Sequence, residues 1–377
     1  MNLRQDSENL NKTPLHAFHS ELGAKMVLFA GYEMPLHYPR GIIREHTHTR
    51  SGAGLFDVSH MGQIRIGGEA AAELQALVPS SLTDLPVHHQ RYTVFTRSNG
   101  GILDDLMITN GGDHLFLVVN AARKEDDLAH LRAHLTDRCR ITHLSDRALL
   151  ALQGPKAVTV MARLAPGTEA IPFLSARMVE IDAVECFVTR SGYTGEDGFE
   201  LSVPARKADR LARLLLSQPE VEAAGLGARD SLRLEAGLCL YGHDIDETTT
   251  PVEAGLGWLV APAYRKRTQP TRFPGAKIIL EQLRNGTARR RVGLKPQGRA
   301  PIRDGATLLN RRDEVIGRVT SGGFGPTVGA PIAMGYVDTE YSKQGTELIT
   351  DLRGRAYPVR TVALPFVEHR YYRGDSG

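Results

Sequence analysis

The stretch that decides the fold is Gly100-Gly101-Ile102-Leu103-Asp104-Asp105-Leu106-Met107, which places two carboxylates directly after a glycine turn. The preceding segment, Arg91-Tyr92-Thr93-Val94-Phe95-Thr96, is β-branched and aromatic, and Ser98-Asn99-Gly100-Gly101 is a strong hairpin signal. Neighbouring side chains of a strand point to opposite faces, so Asp104 and Asp105 are expected in different surroundings. Two interpretations are open: both are surface turn residues, or one is solvated while the other faces the interior as the chemical centre.

Strand and helix signals continue on both sides of this hairpin. An apolar strand is predicted over 115–120 and an amphipathic helix over 123–135, so residues 65–145 have the content of one α+β unit. Upstream, a helix is predicted over 14–22 with Thr13 as its cap, and 31–35 is expected to be a loop. Further predicted elements are strands at 26–29, 55–61, 148–152 and 185–190, and helices at 41–49, 69–77 and 206–217.

The chain is long enough for more than one hydrophobic core. Its 377 residues favour two or three domains. Beyond about Pro251, short strands alternate with turns such as 351–354, a pattern typical of a small all-β barrel or roll, while 262–275 is expected to be a loop.

Charge and cysteine content narrow the class of partner and the compartment. A net charge of +3 is too small to indicate nucleic acid, but it permits local arginine sites for an anionic small molecule. Three widely spaced cysteines indicate a reducing compartment. We find no transit-peptide pattern and no stretch that could span a bilayer, so the prediction is a cytoplasmic protein without membrane association.

Several motifs suggest cofactor sites that their context does not support. Ser321-Gly322-Gly323-Phe324-Gly325-Pro326 lacks the Lys-Ser/Thr of a phosphate loop and is expected to be a plain turn. Gly225-Leu226-Gly227-Ala228-Arg229 lacks the βαβ unit of a dinucleotide site. The histidine pairs at 46/48 and 88/89 have no partner at ligand spacing, so no metal site is predicted.

Three other features are compatible with a binding site. Glu200, near Tyr193, could accept two parallel N–H bonds from a flat heterocycle, or could be a surface residue. Arg229 stands where a helix is predicted to begin, and could bind an anion or pair with Asp230. The polar segment 238–247 could belong to the site or only connect domains.

Five ordered motifs together resemble the T-protein (aminomethyltransferase) family of the glycine cleavage system, from about Thr13 onward. They are Phe56-Asp57-Val58-Ser59-His60-Met61, Gly100-Gly101-Ile102-Leu103-Asp104-Asp105-Leu106, Ser191-Gly192-Tyr193-Thr194-Gly195-Glu196, Gly225-Leu226-Gly227-Ala228-Arg229-Asp230 and Leu240-Tyr241-Gly242. The resemblance implies an α+β fold, a three-lobed cloverleaf of antiparallel sheets with flanking helices and a C-terminal β-roll around a central folate-binding hole. Lobe one would comprise 1–64 and 146–250, lobe two 65–145, and lobe three 251–377.

The resemblance also implies roles for single residues. Asp105 would be the catalytic carboxylate near N10 of tetrahydrofolate, and Glu200 would hold the pterin edge, with Arg229 supporting the folate site. The residues that would line the hole are Tyr92, Met61, Asn120 and Tyr193. Tyr371 would close the site, although Glu368 stands where the family commonly has a proline after Pro365-Phe366-Val367.

The implied reaction moves a methylene unit from the aminomethyl-lipoyl arm of H-protein to tetrahydrofolate, the cosubstrate. The products would be 5,10-methylenetetrahydrofolate, ammonia and dihydrolipoyl H-protein, and the partners would include the P- and L-proteins. Two alternatives remain open: another folate-dependent one-carbon transferase of the same fold, and a non-enzymatic folate-binding iron-sulfur assembly factor. The Lys-Gly-Cys-Tyr-x-Gly-Gln-Glu motif of the second class is absent from this sequence.

Overall fold

The protein is built from three large β-structures with helices packed against them. The structure is a computed structural model that describes residues 10–266, 268, 270–351 and 356–374. These residues form a two-stranded hairpin, a six-stranded sheet, a five-stranded sheet and a closed six-stranded barrel. The predicted α+β class with a C-terminal β-structure is confirmed.

The elements follow the chain in a simple order. The strands are β1 Lys25–Phe29, β2 Tyr32–His37, β3 Ala53–Asp57, β4 Gly62–Gly68, β5 Gln90–Thr96, β6 Ile102–Asn110, β7 His114–Val119, β8 Cys139–His143, β9 Arg147–Gln153, β10 Ser175–Ile181, β11 Val184–Arg190, β12 Gly198–Pro204, β13 Val221–Ala223, β14 Arg289–Pro296, β15 Thr307–Leu309, β16 Val315–Gly325, β17 Ala330–Asp338, β18 Glu347–Asp351 and β19 Ala356–Val362. The helices are α1 His16–Glu21, α2 Ile42–Ser51, α3 Ala70–Leu74, α4 Lys124–His134, α5 Ala157–Leu164, α6 Ala208–Leu216, α7 Leu226–Glu235, α8 Pro262–Arg265 and α9 Ala276–Asn285.

The six-stranded sheet has the order β10-β11-β12-β9-β3-β13. Its strands are antiparallel except for the parallel pair β3 and β13. One face packs on α5 and α6 through buried residues that include Phe199, Leu201 and Leu211. The opposite face contributes Phe56 and Phe187 to a second apolar cluster, which it shares with the five-stranded sheet. Strand β12, which carries Glu200, is therefore enclosed from both sides.

The five-stranded sheet has the order β5-β6-β7-β4-β8 and contains the predicted hairpin. Pairing between β5 and β6 shifts register next to the two aspartates, because Phe95 lies opposite Asp104 whereas Thr96 lies opposite Ile102. Leu103 is thus an extra residue on β6, as in a β-bulge. One face of the sheet packs on α3 and α4.

The C-terminal barrel closes in the order β14-β17-β16-β15-β18-β19. Buried polar side chains join it to the rest of the chain. The guanidinium of Arg233, on α7, donates to Asp244 at 2.8 Å and to Ser321 of β16 at 3.0 Å. The polar segment 238–247 therefore connects the barrel to α7, as one of its two interpretations predicted.

Four local predictions were wrong or incomplete. Thr13 does not cap α1, because its hydroxyl donates to the buried Asp57 carboxylate at 2.6 Å. Segment 31–35, expected to be a loop, is a turn that continues into β2, and the glycine-rich 321–325 lies within β16. Segment 262–275 contains the short helix α8. The predicted turn at 351–354 lies largely outside the described residues.

The three predicted lobes correspond roughly to the two sheets and the barrel. The predicted start of lobe two at residue 65 falls inside β4, which begins at Gly62. The exact lobe boundaries remain a prediction.

Candidate functional site

Asp105 is half-buried on β6 and is held by two side-chain hydrogen bonds. The Tyr92 hydroxyl donates to its Oδ2 at 2.9 Å, and Asn120 Nδ2 donates to its Oδ1 at 2.8 Å. Burial raises the pKa of Asp105 to about 7. A carboxyl with such a pKa can hold either a proton or a charge near neutral pH, which suits acid–base or electrostatic work.

Asp104 points the other way and is completely buried. Asn120 donates to both of its oxygens, from Nδ2 at 2.9 Å and from the backbone N–H at 3.1 Å. The two carboxylates therefore have different surroundings, as the strand period predicts. The interpretation that both are surface turn residues is wrong.

Glu200 lies on β12 and is 9% exposed. Its one donor among the residues described is the Ser191 hydroxyl, at 3.3 Å. Burial raises the pKa of Glu200, although the Arg229 charge opposes this shift. A buried carboxylate with unused acceptor capacity can bind paired N–H groups, so the surface interpretation of Glu200 is wrong.

Arg229, on α7, lies with its guanidinium carbon 4.9 Å from the centroid of the Tyr193 ring. Its Nη1 atom is buried without a hydrogen-bond partner in the described part of the chain. Asp230 does not pair with Arg229. Its carboxylate instead accepts a hydrogen bond from Arg233 Nη2 at 2.7 Å. An unpaired buried donor beside Glu200 is what a polar ligand with an acceptor group would satisfy.

Tyr193 connects the Glu200 side of the site to the Asp105 side. Its hydroxyl donates to the backbone carbonyl of Cys239. Burial raises the pKa of Tyr193 far above its usual range, and the negative charges of Asp105 and Asp244 add to the shift while Arg233 opposes it. Tyr193 therefore stays neutral and acts as an aromatic surface and hydrogen-bond donor.

Met61 packs against the apolar cluster between the two sheets, whose members include Phe56 and Val118. Its neighbour His60 is 2% exposed, and burial lowers the pKa of His60 to about 4. His60 is therefore neutral at physiological pH. Met61 and His60 therefore contribute an apolar side chain and a neutral ring to the site, and no charge.

Tyr371 is the predicted residue with the weakest connection to the others. Its ring stacks on Phe173 at a centroid distance of 4.0 Å and contacts His369. No contact in the described structure joins it to Asp105, Glu200 or Arg229. Its role in closing the site remains a prediction.

Three residues near the site were not among the predicted site residues, although the candidate segment 238–247 contains one of them, Cys239. Trp258, 63% exposed, lies with its ring centroid 6.1 Å from that of Tyr92. Cys239 is buried close enough for the Asp105 and Asp244 charges to add to the burial that raises the pKa of its thiol to about 12. Asp127 is buried behind Asp104. Asp127 had a sequence signal too, since it lies beside Leu128 and Leu131 on the inner face of α4.

Two general features of the described residues bear on function. No group of three or more His, Cys, Asp or Glu within them is arranged to hold a metal ion. Among their helices, none has the length and apolar character needed to cross a membrane.

Two family models match the chain. The GCVT N-terminal domain matches residues 15–263, and the glycine cleavage T-protein C-terminal barrel domain matches residues 289–368. The chain belongs to the glycine cleavage T-protein family. The second match spans all six strands of the β14–β19 barrel.

Individual T-proteins agree with this assignment over nearly the whole chain. The mitochondrial aminomethyltransferase of Dictyostelium discoideum is 44% identical, across 97% of this chain and 94% of the relative. That of Homo sapiens is 45% identical, across 97% and 92%. The crystal structure of the glycine cleavage system aminomethyltransferase T from Bartonella henselae superposes with a TM-score of 0.91 at 45% identity, covering 97% of this chain and all of that one. The prediction of an enzyme, an aminomethyltransferase of the glycine cleavage system, is confirmed.

The prediction of a cytoplasmic location is wrong. The curated T-protein relatives from Dictyostelium discoideum, Homo sapiens and Canis lupus familiaris are all named mitochondrial, which points to mitochondria instead. Cysteine spacing reports redox conditions and does not identify the organelle, so it could not support the prediction.

Proposed function

We propose that this aminomethyltransferase transfers a methylene unit from the aminomethyl-lipoyl arm of H-protein to tetrahydrofolate. The bond between the methylene carbon and the lipoyl sulfur breaks, the amine leaves as ammonia, and the carbon becomes bonded to N5 and N10 of the folate. The products are 5,10-methylenetetrahydrofolate and dihydrolipoyl H-protein. The P- and L-proteins of the glycine cleavage system would supply and reoxidise the lipoyl arm.

The observation that carries this proposal is the pairing of two unlike polar sites across Tyr193. On one side, Glu200 has spare acceptor capacity and Arg229 Nη1 has no acceptor. On the other side, Asp105 is fixed by Tyr92 and Asn120. A pterin offers both N–H donors and acceptors on one edge, so these residues fit its recognition.

Tetrahydrofolate would supply the nucleophilic nitrogens that take up the carbon. Glu200 would accept N–H groups of the pterin, while Arg229 would donate to an acceptor and Tyr193 would cover the ring. Asp105, in its ionised form, would stabilise positive charge that develops on the methylene carbon as the amine leaves. A fixed charge in a site shielded from water stabilises such a transition state more than water does. Positioning by Tyr92 and Asn120 limits the reorganisation that this needs.

The proposal is tested by ammonia release from aminomethylated H-protein, with and without tetrahydrofolate. Ammonia release that accelerates strongly with tetrahydrofolate, together with formation of methylenetetrahydrofolate, is the expected result. Asp113→Asn, which changes an exposed carboxylate in the turn between β6 and β7, is the control variant and should release ammonia as the wild type does. An enzyme that acts on free methylated amines or sulfonium compounds, and ignores aminomethylated H-protein, would favour the other folate-dependent transferases instead.

A further inference from the structure

Behind the candidate catalytic residue lies a second pair of carboxyl groups, Asp104 on β6 and Asp127 on α4. Asp104 is completely buried and Asp127 is 2% exposed. The two side chains lie close enough for a hydrogen bond between them. Two ionised carboxylates are acceptors only, so this bond requires a proton on one of them.

The remaining contacts indicate where that proton lies. Asp127 Oδ2 is buried and receives no N–H or O–H from any other described residue. Both oxygens of Asp104 already accept from Asn120, at 2.9 and 3.1 Å. A proton on Asp104, directed at Asp127, supplies the missing donor and leaves both Asn120 contacts in place.

Among the described residues, one cation acts on this pair, and its charge favours the ionised form of Asp127. The one guanidinium close by is that of Arg123, which pairs with Asp126 at 2.9 Å and donates to the Leu103 carbonyl at 3.0 Å. The other charged or titratable groups that face the pair are acids or phenols; they are Asp105 on β6, Asp126 on α4, and Tyr241 and Glu247 of the connecting segment. Burial, together with the Asp127 charge, raises the pKa of Asp104 well above its usual range. A buried pair with a single shared proton avoids the cost of two uncompensated charges.

We propose that Asp104 and Asp127 share one proton, carried on Asp104, and that the pair positions Asn120 against Asp105. Asn120 Nδ2 lies within hydrogen-bond distance of Asp104 Oδ1, Asp105 Oδ1 and the Asp105 carbonyl, and its two hydrogens are shared among these three acceptors. A neutral Asp104 lets this amide serve both aspartates and places no second full charge beside Asp105. The positioning role rests on the proposed function, whereas the shared proton does not.

Infrared spectroscopy tests the proton directly. The protein is produced with aspartate isotopically labelled at its side-chain carboxyl carbon, so that glutamates such as Glu200 do not contribute. At about pH 8.5, where ordinary aspartates are ionised, a protonated-carboxyl band is expected in the folded enzyme. The band should persist in Asp105→Asn and Asp113→Asn, and should disappear in Asp104→Asn and when the wild-type chain is unfolded. A folded wild-type enzyme without the band, or a band that survives in Asp104→Asn, overturns the proposal, and the wild-type measurement needs no variant to fold.

Kinetics test the positioning role. Asp104→Leu should lower turnover at least about tenfold, and Asp104→Asn should restore most of it, because an amide can still donate to Asp127 and accept from Asn120. Asp127→Asn removes the charged member of the pair, so the pKa of Asp105 should fall and the acid limb of the turnover profile should move to lower pH. An acid limb that stays in place, or one that moves to higher pH, contradicts the role. A different outcome would refute the proposed function. In that outcome, neither the wild type nor any variant releases ammonia, although the wild type shows the infrared band.

Discussion

Arg229 lies 4.9 Å above the ring of Tyr193, yet its Nη1 atom has no acceptor in the described part of the structure. A buried guanidinium is seldom left with an unused donor, because its hydration is lost without replacement. The Arg229 charge opposes the rise in the pKa of Glu200, whose carboxylate can accept further hydrogen bonds. We therefore expect a polar molecule to bind between or beside these two residues.

The first prediction concerns folate affinity. Glu200→Gln replaces one acceptor by a donor that would face an N–H of the pterin, so binding should weaken by on the order of 2 to 4 kcal/mol. Calorimetric titration with a reduced folate measures the change. Glu185→Gln, an exposed glutamate of the neighbouring strand β11, is the matched control and should bind as the wild type does. Wild-type affinity in Glu200→Gln would remove this residue from the site.

The second prediction concerns turnover and its pH dependence. Asp105→Asn should lower turnover by roughly 10² to 10³, with a much smaller effect on folate affinity, because the charge acts mainly in the transition state. In the wild type, turnover should rise with pH through about 7 as Asp105 ionises. This rise in turnover with pH should be absent from Asp105→Asn and unchanged in Asp113→Asn. Near-normal turnover in Asp105→Asn would show that another group is the catalytic carboxylate.

The third prediction concerns a buried ion pair in the six-stranded sheet. Arg190, 2% exposed, donates to both Asp197 oxygens at 2.9 and 2.6 Å and lies between the rings of Phe199 and Tyr372. Arg190→Met leaves Asp197 without its partner and should lower the free energy of unfolding by about 3 to 5 kcal/mol. Denaturant unfolding provides the measurement.

The control for this change is a pair at the surface. Arg210→Met breaks an ion pair with Asp182 in which both side chains are exposed, so it should lower the free energy of unfolding far less than Arg190→Met does. If the two variants lost equal stability, burial would not be the reason that Arg190 matters.

The fourth prediction concerns acid stability. Glu235 is completely buried and accepts from Arg50 Nη2 at 2.9 Å and from the Thr327 N–H at 2.7 Å. Burial alone would raise the pKa of Glu235, but hydrogen bonds and charge from His46, with Thr327 and Arg50, lower it to about 2. A lowered folded-state pKa stabilises the protein above the unfolded value of 4.5, and this stability is lost as the pH falls toward 2.

Glu235→Gln tests this linkage. Its loss of unfolding free energy relative to wild type should include about 3 kcal/mol at neutral pH that disappears between about pH 4.5 and 2. Glu281→Gln, on the exposed face of α9, should differ from wild type by an amount that does not change with pH. A pH-independent difference for Glu235→Gln would mean that its carboxylate is not charged in the folded state.

Strong local patterns predicted the central elements correctly. The hairpin of β5 and β6, the apolar strand β7 and the helix α4 each follow from residue period and turn chemistry. Gly31 and Pro35 disfavour a strand, and segment 31–35 is therefore predicted to be a loop. In the structure Pro35 lies in β2, whose position at a sheet edge tolerates a proline. The Thr13 hydroxyl donates a hydrogen bond to Asp57, 44 residues away, and the local sequence cannot predict such a long-range contact.

The site was predicted less evenly. The spacing of Asp104 and Asp105 indicated that they face different surroundings, but only the fold shows which one meets Tyr92. The sequence predicts that Arg229 either binds an anion or pairs with Asp230. In the structure, Asp230 pairs with Arg233 instead. Asp127, Cys239 and Trp258 come from elements far apart in the chain, so their proximity to the site depends on tertiary structure alone.

The extra residue Leu103 on β6 has a consequence for how this protein can evolve. Because the side-chain period of a strand is two, deleting one residue between the hairpin tip and Asp105 would turn Asp104 toward Tyr92 and Asp105 toward α4. The composition would hardly change, but the completely buried carboxyl and the one that faces Tyr92 would exchange places. Libraries of single-residue insertions and deletions should therefore tolerate length changes in the β6–β7 turn at 111–113 far better than in the segment 97–103. Which of the two aspartates meets Tyr92 therefore depends on the number of residues in this segment as much as on their chemistry.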